Sequence, residues 1–228
     1  MINVYIVVEG HSEEKFVKEV MTPYFVKKDI FLTAERVITG KDKIGNACKG
    51  GGNSYKLYKN HLEKRIKQFG GQDNYYFSTM TDFYALPNDF PKLSENKQTD
   101  IYKSISYLED SFKSDIGYKN FIPYIQLHEF ETLLYCDIDI FVDEFFDLEI
   151  SNLSDKIKND IKEFDNLELI NNSKITAPSK RLDKCTNGAY CGRKTTSGIN
   201  ILKKIDISIL RDKCKHFDEW ISKIEGLI

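Results

Sequence analysis

Two carboxylates in this chain follow apolar stretches at the point where each stretch ends. Glu9 follows residues 2–8, which are β-branched or aromatic apart from Asn3, and Asp82 follows residues 74–81. A carboxylate in such a position is costly unless a cation or a polar partner accepts its charge. Carboxylate oxygens are the ligands that Mg²⁺ and Mn²⁺ prefer, and such an ion can orient water and stabilise charge on a phosphate. A solvated turn residue is the alternative interpretation of each position.

Further acids and a histidine stand near the ends of these stretches. His128, Glu129 and Glu131 follow residues 121–126, a third apolar stretch, and Glu13 comes shortly after the first one. If the three stretches are parallel strands, these carboxylates gather at one edge of a sheet and repel one another unless they are protonated or a cation bridges them. The alternatives are that His128 packs near a strand end and that Glu129 and Glu131 are ordinary first-turn acids of a helix.

Basic side chains are concentrated in two parts of a nearly neutral chain. Residues 39–67 contain eight Lys or Arg and two acids, and residues 174–215 contain eleven Lys or Arg and three acids. Residues 126–173 are the reverse, with thirteen acids and three Lys or Arg. Basic side chains from 41–67 and 180–194 could hold a nucleic-acid backbone through its phosphates, although single surface cations are more often merely solvated. The residues that we expect to contact substrate are His11, Lys180, Arg181, Arg193 and Lys194.

The elements that must position these residues alternate along the first part of the chain. The sequence pattern predicts strands at 2–8, 30–38, 74–81 and 121–126, and helices at 12–28, 54–69 and 95–114. This alternation predicts an α/β fold with a mainly parallel sheet flanked by helices. Beyond residue 135 the apolar spacing becomes helical. We therefore expect an α/β core over residues 1–135 and a mainly helical C-terminal extension over residues 136–228, packed on the core.

A glycine-rich loop separates the second predicted strand from the next predicted helix. Residues 39–54 contain five glycines and match neither GxxxxGK[ST] nor GxGxxG, so they do not indicate a nucleotide-binding loop. A mobile lid over a substrate and a plain flexible connection are both open interpretations.

The composition excludes several classes of protein. With 41% apolar residues, 30% charged residues and a net charge of −2, the 228-residue chain is an ordinary globular one and no polycation. It has no apolar run of transmembrane length and its start lacks the features of a signal peptide. Its five cysteines are widely spaced, and Cys185 and Cys191 form no CxxC pair, so zinc is not expected. We expect a cytoplasmic protein with reduced thiols.

The stretches that carry the candidate residues resemble a known family. VEGHSEE at 8–14 resembles the first motif of Toprim domains, the metal-binding α/β module of topoisomerases, primases and OLD-type nucleases. TDFY at 81–84 resembles their second motif, DxD. Together with IQLHEFETLLY, APSKRL and ILRDKCKHFDEW, these stretches are distributed from the start of the chain to its end. The chain is similar to a bacterial Toprim-like family that is catalogued as a domain of unknown function and often encoded beside an ATPase.

The resemblance implies a Toprim-like, Rossmann-like sheet and roles for particular residues. In Toprim proteins the first-motif glutamate is a general acid/base or a metal ligand, and the DxD aspartates hold Mg²⁺. The resemblance therefore implies these roles for Glu9 and Asp82. Position 84 is Tyr instead of the second aspartate. The missing ligand could come from Glu13, Asp89, His128, Glu129 or Glu131.

These observations lead to one main hypothesis and two alternatives. The main hypothesis is a Mg²⁺- or Mn²⁺-dependent nuclease or phosphodiesterase in phage defence or mobile-element control, working with an AAA- or ABC-type ATPase encoded nearby. Its expected catalytic residues are Glu9, Glu13, Asp82 and His128, and its expected metal ligands are Glu9, Asp82 and Glu129. The alternatives are a non-catalytic regulatory module on a degenerate Toprim fold that docks the ATPase, and a phosphoryl- or nucleotidyl-transfer enzyme. The choice among DNA, RNA and tRNA as substrate is open, as is a homo-oligomeric state.

Overall fold

A computed structural model describes residues 1–41, 47–49, 54–170, 173 and 175–228 of the chain. The chain divides into two compact units. The first contains Met1–Gln126 together with Ser222–Ile228, and the second contains Leu127–Ile221. The boundary between the units falls after Gln126, whereas the sequence pattern suggested residue 135 as the end of the core.

The first unit is built on a parallel sheet. Its strands are β1 (Ile2–Val8), β2 (Ile30–Arg36), β3 (Ile38–Lys41), β4 (Ala47–Lys49), β5 (Tyr75–Asp82), β6 (Phe121–Ile122) and β7 (Ile125–Gln126). The main sheet has the order β2-β1-β5-β6, with β7 also paired to β5, and every pairing in it is parallel. The predicted α/β fold with a mainly parallel sheet is therefore confirmed.

Strand β1 is the centre of this sheet because its residues can be buried on both faces. Residues 4–8 are all buried, which is the pattern expected of a strand that helices cover on both sides. In the register of the sheet Val8 lies opposite Arg36 of β2 and opposite Met80 of β5. The carboxyl ends of three strands therefore lie side by side, with β1 between the other two.

The glycine-rich segment is only partly described. Residues 42–46 and 50–53 lie outside the described residues, so the prediction of a lid or flexible connection is not addressed. The flanking strands β3 and β4 pair with each other in antiparallel fashion as a separate two-stranded sheet, where the sequence pattern predicted only a loop.

The helices of the first unit agree with the predicted ones except near their ends. They are α1 (His11–Phe16), α2 (Thr22–Val26), α3 (Tyr55–Phe69) and α4 (Ile101–Ile116), and a π-helical turn over Val17–Met21 joins the first two. The wider turn has a local cause: Pro23 has no N–H, and the N–H of Thr22 bonds to the carbonyl of Val17, five residues earlier. Helix α4 begins at Ile101 instead of residue 95 because the side chain of Asp100 caps it.

The fourth predicted strand is interrupted. Pro123 cannot donate a hydrogen bond, and it divides residues 121–126 into β6 and β7. Side chains of β5 bond the backbone at the break. The hydroxyl of Ser78 donates to the carbonyl of Ile122 at 2.6 Å, and the hydroxyl of Thr79 accepts from the N–H of Tyr124 at 3.0 Å.

The second unit is helical, as the spacing beyond residue 135 predicts. A 3₁₀ segment over Phe130–Cys136 is buried at every residue. The helices are α5 (Ile138–Glu144), α6 (Leu153–Ile161), α7 (Pro178–Cys185), α8 (Ala189–Lys204), α9 (Ile207–Lys213) and α10 (Lys215–Glu225), the last of which ends in the first unit. Among the described residues, no helix has both the length and the apolar character needed to cross a membrane.

Candidate functional site

Glu9 and Asp82 lie at neighbouring strand ends in the first unit. Glu9 comes directly after β1, and Asp82 is the last residue of β5. The N–H of Glu9 continues the strand pairing by bonding to the carbonyl of Met80 at 3.3 Å. The hydroxyl of Thr81 donates to Oε2 of Glu9, also at 3.3 Å. The sheet thus brings together the two carboxylates that the sequence singles out.

Glu13 is fixed at the same turn by the backbone. Its Oε2 accepts a hydrogen bond from the N–H of Gly10 at 3.0 Å, and its side chain is buried. A Cβ at position 10 would come within 2.9 Å of this oxygen, so a side chain there would displace the end of the Glu13 side chain. Glycine at position 10 leaves room for the carboxylate to accept this bond. Gly10 is the residue directly before α1, and Ser12 lies buried in the first turn of the helix.

A buried tyrosine of α3 reports the charge at this strand edge. The hydroxyl of Tyr58 lies 3.4 Å from Oγ1 of Thr81. Burial raises the pKa of Tyr58 well above its ordinary value, and the negative charges of Glu9, Asp82 and Glu13 raise it further. All three carboxylates therefore act electrostatically on one point. Sequence reasoning missed Tyr58, because a single tyrosine in a basic helix carries no signal of its own.

The donors at this edge suit a hard divalent cation by type. Glu9, Glu13 and Asp82 offer only carboxylate oxygens, the ligands that Mg²⁺ and Mn²⁺ take. Within the described residues, however, no group of three or more His, Cys, Asp or Glu is arranged as a metal-binding cluster. Tyr84, which stands where the resemblance calls for an aspartate, lies in the 3₁₀ turn Phe83–Ala85 after β5.

Asp89, one of the candidates for the missing ligand, has a structural role. Its Oδ1 accepts from the N–H of Tyr55 at 2.8 Å, and its Oδ2 accepts from the hydroxyl of Ser54 at 2.8 Å. The bond from Tyr55 lowers the pKa of the Asp89 carboxyl. Asp89 therefore holds the start of α3.

An arginine that sequence reasoning missed lies beside the turn after β1. Arg36 is the last residue of β2, and its Nε donates to Oε2 of Glu14 at 2.7 Å. Its Nη1 contacts Nε2 of His11, an exposed residue, at 2.6 Å. Lys18 also pairs with Glu14, through Oε1 at 2.7 Å. The sequence pattern did not single out Arg36, because the predicted strand 30–38 placed it inside a strand instead of at its end.

The second unit holds the other predicted site residues, beginning with His128 and Glu129. His128 has a left-handed backbone, with φ of 58°, and burial lowers its pKa to about 4, so its imidazole is neutral at neutral pH. Glu129 accepts a hydrogen bond from the N–H of Ser179, in the first turn of α7, at 2.9 Å.

Glu131 is the most deeply buried acid of this group. None of its surface is exposed, and burial raises its pKa. Its Oε1 pairs with Nζ of Lys194 at 2.7 Å and accepts from the hydroxyl of Tyr190 at 3.2 Å. Its Oε2 has no hydrogen-bond partner among the described residues. Lys194 thus contacts a carboxylate of its own chain.

The other predicted substrate-binding cations differ in their surroundings. Arg181 is largely buried, donates to the carboxylate of Asp160 at 3.0 Å and to the carbonyl of Thr176 at 2.8 Å, and stacks on Phe164. Arg193 makes two exposed bonds, at 3.0 and 2.9 Å, to the carboxylate of Asp147. Lys180 is exposed. The assignment of these residues to substrate stays a prediction.

The predicted site residues therefore fall into two sets. Glu9, His11, Glu13 and Asp82 belong to the first unit, and His128, Glu129, Lys180, Arg181, Arg193 and Lys194 belong to the second. Within the first unit the structure brings Glu9, Glu13 and Asp82 to one sheet edge, and within the second it pairs Lys194 with Glu131.

Comparison with known proteins gives a family and two similar structures. The profile of the domain of unknown function DUF4276 matches residues 8–225. Two solved structures of the C-terminal region of the Xanthomonas campestris pv. campestris OLD protein, phased with platinum and with mercury, are similar to the chain. Their sequence identities are 12% and 13%, and their TM-scores are 0.36 and 0.37. The first match covers 97% of this chain and 95% of the other, and the second covers 96% and 97%. No curated protein matches the chain. Identities and TM-scores this low do not by themselves assign an activity.

Proposed function

Since the chain belongs to the DUF4276 family, whose profile includes both Glu9 and Asp82, we propose that it is a metal-dependent nuclease or phosphodiesterase of Toprim type. The observation that carries this proposal is the meeting of carboxylates at the edge formed by β1 and β5. Glu9, Glu13 and Asp82 all raise the pKa of Tyr58, so their charges act on one small region. Carboxylates gathered in this way repel one another unless a cation is bound.

The proposal gives each carboxylate at this edge a definite task. Glu9 and Asp82 would hold the ion, and Mg²⁺ or Mn²⁺ would supply an activated water and charge stabilisation on the phosphate. Glu13 is held by the N–H of Gly10 and so keeps a fixed carboxylate beside Glu9. His128 belongs to the second unit, and a pKa of about 4 makes its imidazole a weak base at neutral pH, so the proposal gives it no proton-transfer step.

The decisive experiment combines metal binding with cleavage. Wild-type protein is incubated with labelled DNA and RNA in Mg²⁺, in Mn²⁺ and in EDTA, alongside Glu9→Gln and Asp82→Asn variants. We expect metal-dependent cleavage that falls by at least about 100-fold in each variant, because each loses a charged ligand. A Mn²⁺ soak of crystals should give an anomalous peak at both carboxylates.

Matched controls make this result interpretable. Glu95→Gln removes an exposed acid of the same unit that pairs with Lys92, so it should leave cleavage unchanged. Circular dichroism and the melting temperature show whether each variant is folded. Cleavage that survives both Glu9→Gln and Asp82→Asn would refute the site.

One observation favours a second candidate function. Tyr84 replaces an acidic ligand, and the described residues contain no ready cluster of three metal ligands. A non-catalytic regulatory module on the same fold would have these properties. A ligand that binds only the folded protein raises its stability by mass action. A melting temperature that does not respond to millimolar Mg²⁺ or Mn²⁺ would therefore favour the module.

Partners follow from the proposal and stay predictions. The resemblance implies an ATPase encoded nearby that controls when the nuclease acts, in phage defence or mobile-element control. Co-purification of the chain with the product of a neighbouring ATPase gene, with and without ATP, would test this. Loss of cleavage control in the absence of the ATPase would support the defence setting.

A further inference from the structure

A positively charged residue, Arg36, lies beside the turn after β1. Arg36 ends β2, and its backbone position lies opposite Val8, the residue directly before Glu9. The N–H of Val37 continues this pairing by bonding to the carbonyl of Val8 at 3.1 Å. The β2 end therefore places an arginine on the neighbour strand of Glu9, across β1 from Asp82.

The side chain of Arg36 is held in a fixed position from two sides. Glu14 accepts from Nε at 2.7 Å, and Nε2 of His11 lies 2.6 Å from Nη1. Because a guanidinium only donates, Nε2 of His11 accepts and the imidazole hydrogen is on Nδ1. The side chain of Arg36 is 19% exposed, so it is mostly buried yet reaches solvent.

These contacts leave hydrogen-bond donors of Arg36 unused. A guanidinium carries five N–H donors, and the contacts to Glu14 and His11 use one on Nε and one on Nη1. Among the described residues no acceptor for Nη2 is found. The Nδ1–H of exposed His11 is a further donor. A planar arginine with free donors, held beside a second donor, matches the oxygen atoms of a phosphate.

The charge of Glu14 does not cancel this arrangement. Lys18 pairs with Oε1 of the same carboxylate at 2.7 Å, and this partner together with Arg36 lowers the pKa of Glu14 although burial raises it. Two cations therefore share one acid, and the group of His11, Glu14, Lys18 and Arg36 keeps a net positive charge. Its members come from the end of β2, the strand paired with β1, and from α1 and the π-helical turn that follow Glu9.

We infer that Arg36 and His11 form a binding site for a backbone phosphate of a nucleic acid, beside the edge that carries Glu9 and Asp82. This inference rests on the proposed function for the identity of the ligand. Arg36 donates to the phosphate oxygens, and Glu14 and His11 hold its guanidinium in place. The site binds one phosphate of the strand next to the carboxylates, and so positions the phosphodiester there.

The test measures nucleic-acid binding separately from cleavage. The full chain is titrated against a short labelled DNA duplex and its RNA counterpart in EDTA, at several salt concentrations, for wild type, Arg36→Gln and Arg36→Lys. Removing one phosphate contact should lower the slope of log affinity against log salt by about 0.9 and weaken binding about tenfold. Arg36→Lys should keep much of the slope but lose affinity, because lysine has no planar fork.

Lys92→Gln is the control for a general charge effect. It removes one positive charge from an exposed side chain of the same unit that pairs with Glu95 at 2.8 Å and is not part of the group of His11, Glu14, Lys18 and Arg36. Its affinity and salt slope should equal those of the wild type. Equal losses in Lys92→Gln and Arg36→Gln would overturn the site, because they would show a diffuse charge effect. Binding of inorganic phosphate without any nucleic-acid binding would overturn it as well.

Parallel cleavage assays separate this inference from the proposed nuclease function. If the wild type binds nucleic acid through Arg36 but does not cleave in Mg²⁺ or Mn²⁺, the phosphate site stands and the nuclease proposal fails. If the wild type cleaves and Arg36→Gln binds and cleaves equally well, the nuclease proposal stands and the phosphate site is refuted.

Discussion

The two units of the molecule place their candidate site residues differently, although both contain ion pairs between elements, such as Arg65 with Glu35 in the first unit. In the first unit, Glu9, Asp82 and Arg36 stand at the ends of parallel strands, where the backbone itself brings them to one edge. In the second unit, acids and bases from different helices meet in pairs, such as Arg181 with Asp160 and Lys194 with Glu131.

This difference shows what a charged residue in a sequence can mean. The acidic segment 126–173 and the basic segment 174–215 look like two interaction surfaces when only their composition is counted. In the folded unit several members of one segment neutralise members of the other. A carboxylate after a strand is better evidence for chemistry, because its place in the fold follows from the strand.

The largest effect on stability is expected from Lys194→Met. The substitution leaves the fully buried Glu131 without its cation, and the free energy of unfolding should fall by about 3 kcal/mol at neutral pH. Burial raises the pKa of Glu131, so the folded protein binds this proton more tightly than the unfolded chain does. The free energy of unfolding then falls as pH rises above the ordinary pKa of a glutamate, and this fall is steeper without Lys194. Urea unfolding at several pH values measures the free energy of unfolding of both proteins.

The double variant Lys194→Met/Glu131→Gln is the control for this prediction. It removes both charges, and it should regain much of the stability that the single variant loses at neutral pH. A loss in Lys194→Met that does not change between acidic and neutral pH would contradict the pairing. The second unit would then not depend on this buried ion pair for its stability.

A somewhat smaller effect is expected from His128 in mild acid. Because burial lowers its pKa from 6.5 to about 4, the stability that it contributes is fully present above 6.5 and is lost as pH falls toward about 4. At about pH 5 the cost should be about 2 kcal/mol. His128→Asn keeps a residue that tolerates positive φ and removes the titration, so its stability should change less over this pH range. If the unfolding free energies of the wild type and of His128→Asn fall equally between pH 6.5 and pH 4, the lowered pKa of His128 is contradicted.

The smallest effects compare two arginines of the same basic segment. Arg181→Ala removes a largely buried side chain with bonds to Asp160 and Thr176, and should cost about 2 kcal/mol of unfolding free energy. Arg193→Ala removes an exposed pair with Asp147, and its melting temperature should equal that of the wild type. Equal melting temperatures for both variants would show that burial does not separate these two cations.

The sequence predicted the part of the molecule that depends on local pattern. The buried run of β1, its abrupt end at Glu9 and the repeat of this situation at Asp82 identified the sheet and its edge. Alternation of strands and helices was enough to predict the parallel pairing. Pro123 is visible in the sequence as a break in the strand. The hydrogen bonds from the Ser78 and Thr79 side chains to the backbone on either side of Pro123 depend on the register of β5 against residues 121–126 and could not be predicted.

The rest of the site depended on contacts between distant residues. Arg36 meets His11 across 25 positions, and Arg181 meets Asp160 across 21 positions, so no local spacing reveals either pair. The carboxylates raise the pKa of Tyr58 only because α3 brings its hydroxyl beside Thr81 of β5. Gly10 is different: a glycine between a strand end and a helix start is visible in the sequence, and the structure places the carboxylate of Glu13 against its N–H.

The proline in the last strand also affects how the sheet could meet other chains. Segments β6 and β7 are two residues each, Pro123 between them has no N–H, and the N–H of Ile125 bonds to the carboxylate of Glu109 at 2.8 Å. A long, regular row of unused backbone donors and acceptors is what lets a foreign strand add to an edge and start aggregation. Over residues 121–126 the row is short and interrupted, so the break disfavours unwanted strand addition on this side of the sheet.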